Sequence, residues 1–130
     1  MEKDFDEWNK SKKFRNVRGT YPHYREREIW SCALGVNIGF EQDGTGKNFD
    51  RPIVVIRAFN RNTFFGVALT GKMKKGEYYL PLGMVGKREA CANLSQVRLI
   101  DAKRLIRRID ILDIETFECL RKRLKQILFA

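Results

Sequence analysis

A series of short apolar runs, separated by polar or glycine-containing turns, is the feature that most constrains the fold of this chain. Runs rich in β-branched and aromatic residues predict five strands, at residues 28–34, 53–59, 63–70, 77–82 and 94–100. The tripeptide Asn60-Arg61-Asn62 predicts a tight hairpin between the second strand and the third. Strands this short and this closely spaced favour a small curled sheet or barrel over a flat open sheet.

Helical patterns flank the predicted strands. Asp4 is a candidate N-cap for a short helix in which Phe5 and Trp8 share a face, and we expect both aromatic side chains to pack. Toward the C-terminus, Asp101 is predicted to cap a helical turn and Asp113 a longer helix. Their apolar residues are Leu105, Ile106 and Ile109 in the turn and Phe117, Leu120, Leu124, Ile127 and Leu128 in the helix. The basic residues of that helix, Arg121, Lys122, Arg123 and Lys125, form either a solvated surface or an RNA contact.

These patterns predict one mainly β domain with a C-terminal helix at residues 28–130, preceded by a short helical extension at residues 1–27. The formal net charge of +10 is spread evenly, with +3 on residues 1–27, +4 on residues 28–100 and +3 on residues 101–130. An evenly basic domain favours nucleic-acid binding by a folded surface, and an ordinary basic protein is the alternative. The sequence contains no apolar run of transmembrane length and no signal peptide, so we expect a cytoplasmic protein that binds no membrane.

The three cysteines predict neither a disulfide nor a metal site. Cys32, Cys91 and Cys119 are odd in number, widely spaced and without a neighbouring histidine. We therefore expect three buried, reduced thiols, no metal site and no cofactor.

The glycine-rich segment at residues 39–50 is the most distinctive loop. Its Gly44-Thr45-Gly46-Lys47 stretch is similar to the end of a phosphate-binding loop, but Glu41 replaces the first glycine and Asn48 the final Ser or Thr. A phosphate loop also opens a helix, whereas a strand is predicted here. The acidic residues lack the alternating spacing of a calcium loop. We interpret the segment as a polar hairpin.

Several short blocks in a particular order resemble the PemK/MazF family of toxin endoribonucleases. The blocks are Glu28-Ile-Trp-Ser-Cys-Ala-Leu-Gly35, Gly39-Phe-Glu-Gln42, Arg51-Pro-Ile-Val-Val55, Val67-Ala-Leu-Thr-Gly71, Leu94-Ser-Gln-Val-Arg98 and Asp101-Ala-Lys-Arg-Leu105. The resemblance extends from about residue 28 to residue 128. It implies an SH3-like barrel with a C-terminal helix, acting as a homodimer that cleaves single-stranded RNA without metal and is inhibited by a cognate antitoxin.

The sequence departs from the pattern of this family in three places. Arg27 and Glu28 stand where a glycine and an aspartate commonly open the first strand, and residues 1–27 are an extension. The loop before Arg51 is longer than usual. Because this loop borders the substrate groove in the family, its length bears on which RNA sequence is preferred.

The resemblance implies that Arg51 and Thr70 are the catalytic pair, with the arginine acting on the scissile phosphate and the threonine hydroxyl holding a phosphate oxygen. Without the resemblance they are an ordinary loop cation and a turn residue. Glu41 is either the proton acceptor or an ion-pair partner of Arg51. A mechanism with two histidines is excluded because His23 is the only histidine, and we expect His23 at the surface or in packing.

The remaining candidate residues are polar or basic and are expected to contact RNA. They are Gln42, Lys47, Lys72, Lys74, Lys75, Gln96 and Arg98. Four aromatic residues near them in sequence either stack on bases or pack in the core, namely Phe40, Phe49, Tyr78 and Tyr79. The sequence thus predicts an endoribonuclease toxin. The alternative is a non-catalytic module of the same fold that binds RNA or an antitoxin.

Overall fold

The structure is a computed structural model that describes residues 5–16, 21–34 and 50–129. The elements in chain order are α1 (Phe5–Asn16), β1 (Glu28–Ala33), β2 (Asp50–Ala58), β3 (Thr63–Thr70), β4 (Tyr79–Val85), β5 (Arg88–Asp101), a 3-10 turn (Ala102–Arg104), β6 (Leu105–Ile111) and α2 (Ile114–Leu128). The mainly β class with a short N-terminal helix and a C-terminal helix is confirmed, as are all five predicted strands. In the described part of the chain, neither helix is long and apolar enough to span a membrane.

The strands form one antiparallel sheet in the order β4-β5-β3-β2-β1-β6, which curls into a half-barrel. The turn between β4 and β5 reaches the opposite edge, where the backbone N–H of Gly86 donates to Asp110 Oδ2 on β6 at 2.8 Å. Gly86 has a φ of +61°, and a Cβ added there would lie 3.3 Å from the Ile109 side chain. Glycine suits this position, because it adopts the positive φ without strain and leaves room for the close approach of the turn to β6.

The predicted helical turn carrying Leu105, Ile106 and Ile109 is wrong. Asp101 does cap the 3-10 turn, accepting a hydrogen bond from the Lys103 backbone N–H at 2.8 Å, but β6 begins at Leu105. The spacing of the three apolar residues fits a helix, yet β1 needs a hydrogen-bonding partner on its second edge. Pairing with β6 satisfies those backbone groups, so tertiary context overrides the local pattern.

The two faces of the sheet each bury an apolar cluster. The cluster on the face beneath α2 includes Ile29, Val54, Val67, Leu69, Leu94, Phe117, Leu120 and Leu124. The cluster on the opposite face includes Trp30, Ile53, Val55, Phe64 and Ile100, against which Tyr21 and Tyr24 pack. Alternate residues of β2 thus belong to different clusters, as the two-residue period of a strand requires.

Helix α2 begins where the sequence predicts, because Asp113 accepts a hydrogen bond from the Thr116 backbone N–H at 3.1 Å. Its predicted apolar face is confirmed for the buried Phe117, Leu120 and Leu124, whereas Leu128 near the C-terminal end is 41% exposed. Cys32 and Cys91 are buried, but Cys119 is exposed, so the prediction of three buried thiols is wrong for that residue. Cys119 precedes Leu120 by one residue and therefore lies on a different face of the helix.

Of the two aromatic residues of α1 that were predicted to pack, Trp8 is buried and Phe5 is not. Trp8 is buried against Ala33 and Ile106, with the Arg104 guanidinium 5.5 Å from the centre of its ring. Phe5 is 50% exposed, so its predicted packing is wrong, because it lies in the first turn, at the end of α1. The candidate cap Asp4 lies outside the described residues.

The start of β1 is held by a buried acidic residue. Glu28 Oε1 accepts from the Arg25 backbone N–H at 2.7 Å and from Trp30 Nε1 at 3.1 Å, and Oε2 accepts from Arg108 at 3.1 Å. Arg27 adopts a φ of +78°, a conformation that favours glycine.

Candidate active site

Arg51 and Thr70 lie opposite each other at the ends of β2 and β3. Ile53 pairs with Ala68 in this antiparallel pair, so the same register places Arg51 across from Thr70. Arg51 is half-buried, and its guanidinium donates to the Leu69 carbonyl at 3.5 Å. Cα partners in an antiparallel pair project their side chains from the same face. The two side chains therefore meet at one end of the sheet.

A β-bulge in β2 makes this meeting possible. Near the hairpin Ala58 pairs with Phe64, whereas beyond the bulge Val55 pairs with Gly66, so Ile56 is an extra residue in β2. If the hairpin register continued unchanged, Thr70 would lie opposite Pro52 instead of Arg51. A one-residue slip moves every side chain to the other face. The bulge at Ile56 thus places Arg51 and Thr70 on the same face.

A second irregularity places polar side chains beside Thr70. Between β3 and β5 the register shifts from Val67 opposite Val97 to Leu69 opposite Ala92, so residues 93–96 bulge out of β5. The bulge is closed by Asn93 Oδ1, which accepts from the backbone N–H of Ser95 at 3.3 Å and from its hydroxyl at 2.9 Å.

Together these elements form a pocket of about 420 Å³, called here the first pocket. It is lined by Arg51, Thr70, Lys72, Lys74, Tyr79, Asn93, Ser95 and Gln96. The described lining residues include three cations and no acidic residue, and the Lys74 ammonium lies 5.6 Å from the centre of the Tyr79 ring. A pocket of this kind favours an anionic ligand with a planar group.

The Thr70 hydroxyl has a defined orientation. Its oxygen accepts a hydrogen bond from the Lys72 backbone N–H at 3.2 Å. Because the oxygen accepts this bond, the hydroxyl proton can be donated to a ligand in the pocket. Thr70 therefore offers a neutral donor beside the fixed positive charge of Arg51.

The other side of Arg51 and Thr70 borders a second pocket, of about 640 Å³. This second pocket lies between the end of β2, the β4–β5 turn and β6. It shares Arg51 and Thr70 with the first pocket, and its other cations are Lys87, Arg88 and Arg107. The two candidate catalytic side chains thus lie on the wall between two basic pockets.

The structure brings together some of the predicted residues and not others. Lys72, Lys74 and Gln96 line the first pocket, as does Tyr79. Of the described candidates, Lys75 and Arg98 do not line it: Lys75 is exposed, and Arg98 lies farther along β5, opposite Gly66. Tyr78 is 47% exposed, and His23 lines a different pocket beside the β2–β3 turn. Five further predicted residues lie outside the described residues, namely Glu41, Gln42, Lys47, Phe40 and Phe49.

Arg98 lies outside the first pocket, and its positive charge acts on Arg104 instead. Burial lowers the pKa of Arg104, and the nearby positive charge of Arg98 lowers it further. The sequence reasoning missed Asn93, Ser95 and Arg107. The first two alternate with the buried Leu94, which is a strand signal, whereas Arg107 was hidden by the mistaken helical turn.

Possible metal ligands and proton acceptors are few in the described part of the molecule. No group of three or more His, Cys, Asp or Glu side chains within it is arranged to hold a metal ion. Among the described residues of the first pocket there is no histidine or carboxylate, and Glu89 lines the second pocket. Asp50, next to Arg51, accepts a hydrogen bond from the Ser31 hydroxyl at 2.5 Å.

A family model described as PemK-like, MazF-like toxin of type II toxin–antitoxin system matches residues 25–128. The chain belongs to this family. The resemblance read from the sequence blocks is therefore confirmed. A search of the curated proteins finds no match.

Solved structures of MazF proteins share the fold of this PemK/MazF family member. MazF from Deinococcus radiodurans aligns with a TM-score of 0.67 and 14% identity, over 85% of this chain and 99% of that chain. The Mycobacterium tuberculosis toxin MazF-mt6 aligns with a TM-score of 0.61 and 13% identity, over 78% of this chain and 96% of that chain. A mycobacterial endoribonuclease in complex with its cognate antitoxin gives a TM-score of 0.61 and 11% identity, over 82% and 95% of the two chains.

Proposed function

We propose that this family member is an endoribonuclease toxin that cleaves single-stranded RNA at Arg51 and Thr70 without a metal ion. The observation that carries the proposal is the placement of a guanidinium and an oriented hydroxyl on the wall between two basic pockets. A cation and a neutral donor at one point suit a phosphate group whose charge increases during reaction.

The proposed reaction is attack of a ribose 2′-oxygen on the adjacent phosphorus. A bond forms between the 2′-oxygen and phosphorus, and the bond from phosphorus to the 5′-oxygen breaks. The 2′-hydroxyl proton passes to a proton acceptor, and the departing 5′-oxygen gains a proton. The products are a 2′,3′-cyclic phosphate and a 5′-hydroxyl. Arg51 stabilises the charge on the non-bridging oxygens, while Thr70 donates to one of them.

Glu41 is the proposed proton acceptor or, alternatively, an ion-pair partner that orients Arg51. Lys72 and Lys74 are proposed to bind flanking backbone phosphates, and Gln96 to contact a base. The Tyr79 ring offers a stacking surface for a base in the same pocket.

We also propose that the protein acts as a homodimer and that an acidic antitoxin segment competes with RNA for the same basic pockets. Endoribonuclease relatives have been solved with an antitoxin, in mycobacteria and in the MazE–MazF complex from Deinococcus radiodurans. Negative charge on the antitoxin would complement the three cations that line the first pocket.

The test is cleavage of a long unstructured RNA in the presence of EDTA, followed by analysis of the product ends. We expect cleavage at a limited set of sequences, with cyclic phosphate and 5′-hydroxyl ends. A single 2′-deoxynucleotide on the 5′ side of a mapped cleavage position should block cleavage there, because it removes the nucleophile. RNA that stays intact across many sequences, a strict magnesium requirement, or cleavage at the deoxynucleotide would contradict the proposal.

The second candidate function is a non-catalytic module that binds RNA or an antitoxin. It is favoured by the absence of a histidine or carboxylate from the described residues of the first pocket. It predicts RNA binding that weakens with salt and yields no products.

A further inference from the structure

The second pocket borders the proposed active site and has no role in the proposed function so far. Its volume of about 640 Å³ lies within the range of small-molecule sites, and it shares Arg51 and Thr70 with the first pocket. A chain molecule whose phosphate lies at Arg51 and Thr70 can therefore extend into both pockets, one on each side of that phosphate.

The wall of the second pocket opposite β2 and β3 is held in place by a hydrogen bond between elements distant in sequence. The Gly86 N–H donates to Asp110 Oδ2 at 2.8 Å, and Asp110 Oδ1 accepts from the Ile111 N–H at 2.8 Å. The first of these hydrogen bonds joins the β4–β5 turn to β6, and the second, within β6, orients the Asp110 carboxylate. The shape of the pocket is therefore set by the closure of the sheet, not by a freely moving loop.

The lining of the second pocket combines an apolar surface with a basic rim. Leu69, Val85 and Ile109 supply apolar surface, while Lys87, Arg88 and Arg107 add to the charge of Arg51. Glu89 is the acidic residue among the described residues of the lining, where four cations oppose this one anion. A nucleotide has the matching chemistry, with a flat apolar base and an anionic phosphate.

Arg107 is placed to contact a phosphate next to the scissile one. Arg107 lies on β6 and lines the second pocket together with Arg51 of β2. Two strand spacings separate β6 from β2, about 10 Å. The Arg107 side chain is exposed, so its guanidinium is accessible to a ligand in the pocket.

We propose that the second pocket is a nucleotide subsite for the RNA substrate. This inference rests on the proposed function. The nucleotide that adjoins the scissile phosphate, on the side away from the first pocket, places its base against Val85 and Ile109 and its phosphate at Arg107.

The test uses Arg107→Ala with Arg61→Ala as a matched control. Arg61 is an exposed arginine in the β2–β3 turn, which adjoins the start of β3, whereas Thr70 is at the other end of that strand. The Arg61→Ala control removes the same charge as Arg107→Ala. The substrates are synthetic RNAs around one mapped cleavage position, shortened one nucleotide at a time from either end. A parallel series with a 2′-deoxynucleotide at the cleavage position gives binding constants without cleavage.

For the longest substrate we expect Arg107→Ala to raise KM about tenfold with little change in kcat, since one charge-assisted phosphate contact is lost. The effect should vanish when shortening removes the nucleotide that occupies the second pocket. It should persist when the RNA is shortened from the other end. Arg61→Ala should behave as wild type throughout. The same dependence of Kd on length without any cleavage would support the subsite while refuting the proposed catalysis.

Two results would overturn the subsite. One is an effect of Arg107→Ala that is absent, or equal for every substrate length. The other is a variant that binds every RNA as the wild type does but loses affinity for the antitoxin, which would assign the pocket to the protein partner.

Discussion

Glu28 is expected to be the acidic residue whose removal most destabilises the described domain. Its side chain is 7% exposed and accepts hydrogen bonds from the Arg25 backbone, the Trp30 indole and the Arg108 guanidinium. Glu28→Ala leaves the buried indole N–H without its acceptor, which costs about 1–3 kcal/mol. The half-buried Arg25 N–H adds about 1 kcal/mol.

Arg108 contributes less, because its side chain is 63% exposed and the ion pair is screened by water, giving about 0–1 kcal/mol. We therefore expect Glu28→Ala to lower the free energy of unfolding by about 2–5 kcal/mol. For a domain of this size the Tm should fall by about 10 °C. Glu28→Gln keeps one acceptor oxygen, so its loss should be roughly half as large.

The assay is urea and thermal unfolding followed by circular dichroism. The matched control is Glu118→Ala, because that carboxylate is 62% exposed and its ion pair with Arg121 spans 3.7 Å. The control should change stability by less than about 0.5 kcal/mol. Equal stability of the Glu28 and Glu118 variants would refute the assignment of Glu28 as a structural acceptor.

Further predictions concern the hydroxyl, the closure of the sheet and the assembly. Thr70→Val should lower kcat about 100-fold by removing the phosphate donor, while Thr70→Ser keeps most activity in a single-turnover assay. The backbone N–H groups of Gly86 and Ile111 lower the pKa of Asp110, so its stabilisation is present above the usual value of 3.8 and is lost as the pH falls through the folded pKa. Asp110→Asn should cost about 1 kcal/mol at neutral pH and flatten this part of the acid dependence in urea unfolding. Light scattering should give twice the chain mass of 15.3 kDa at micromolar concentration, and a monomer would contradict the proposed dimer.

The strands and the C-terminal helix could be predicted because each has a strong local signal. The run 53–56 is apolar throughout, and the polar Asn60-Arg61-Asn62 turn separates it from the next apolar run. Asp113 likewise precedes a clear apolar period of helical spacing. These signals depend on residues close in sequence, so the unfolded chain already contains them.

The register that builds the candidate site could not be predicted in the same way. Arg51 lies ten residues before Arg61 at the centre of the hairpin and Thr70 lies nine residues after it, so the two side chains share a face because the bulge at Ile56 takes up the extra residue. The bulge at residues 93–96 places Asn93 beside Thr70 and likewise has no local sequence signal. Strand β6 was missed for a related reason, since its partner β1 lies more than seventy residues earlier. Such features are decided by packing across the whole sheet.

Cleavage and RNA binding, measured in parallel for the wild type, Arg51→Ala and Arg61→Ala, test the central claim most directly. The RNA is one mapped substrate, cleavage is followed under single-turnover conditions with EDTA, and binding is followed on its deoxy-blocked form. We expect Arg51→Ala to slow cleavage at least about 100-fold while binding weakens only a few-fold, because the charge acts mainly on the transition state. Arg61→Ala should match the wild type in both measurements. Cleavage by Arg51→Ala at the wild-type rate, or binding without cleavage by all three proteins, would contradict the claim that Arg51 and Thr70 form a ribonuclease site.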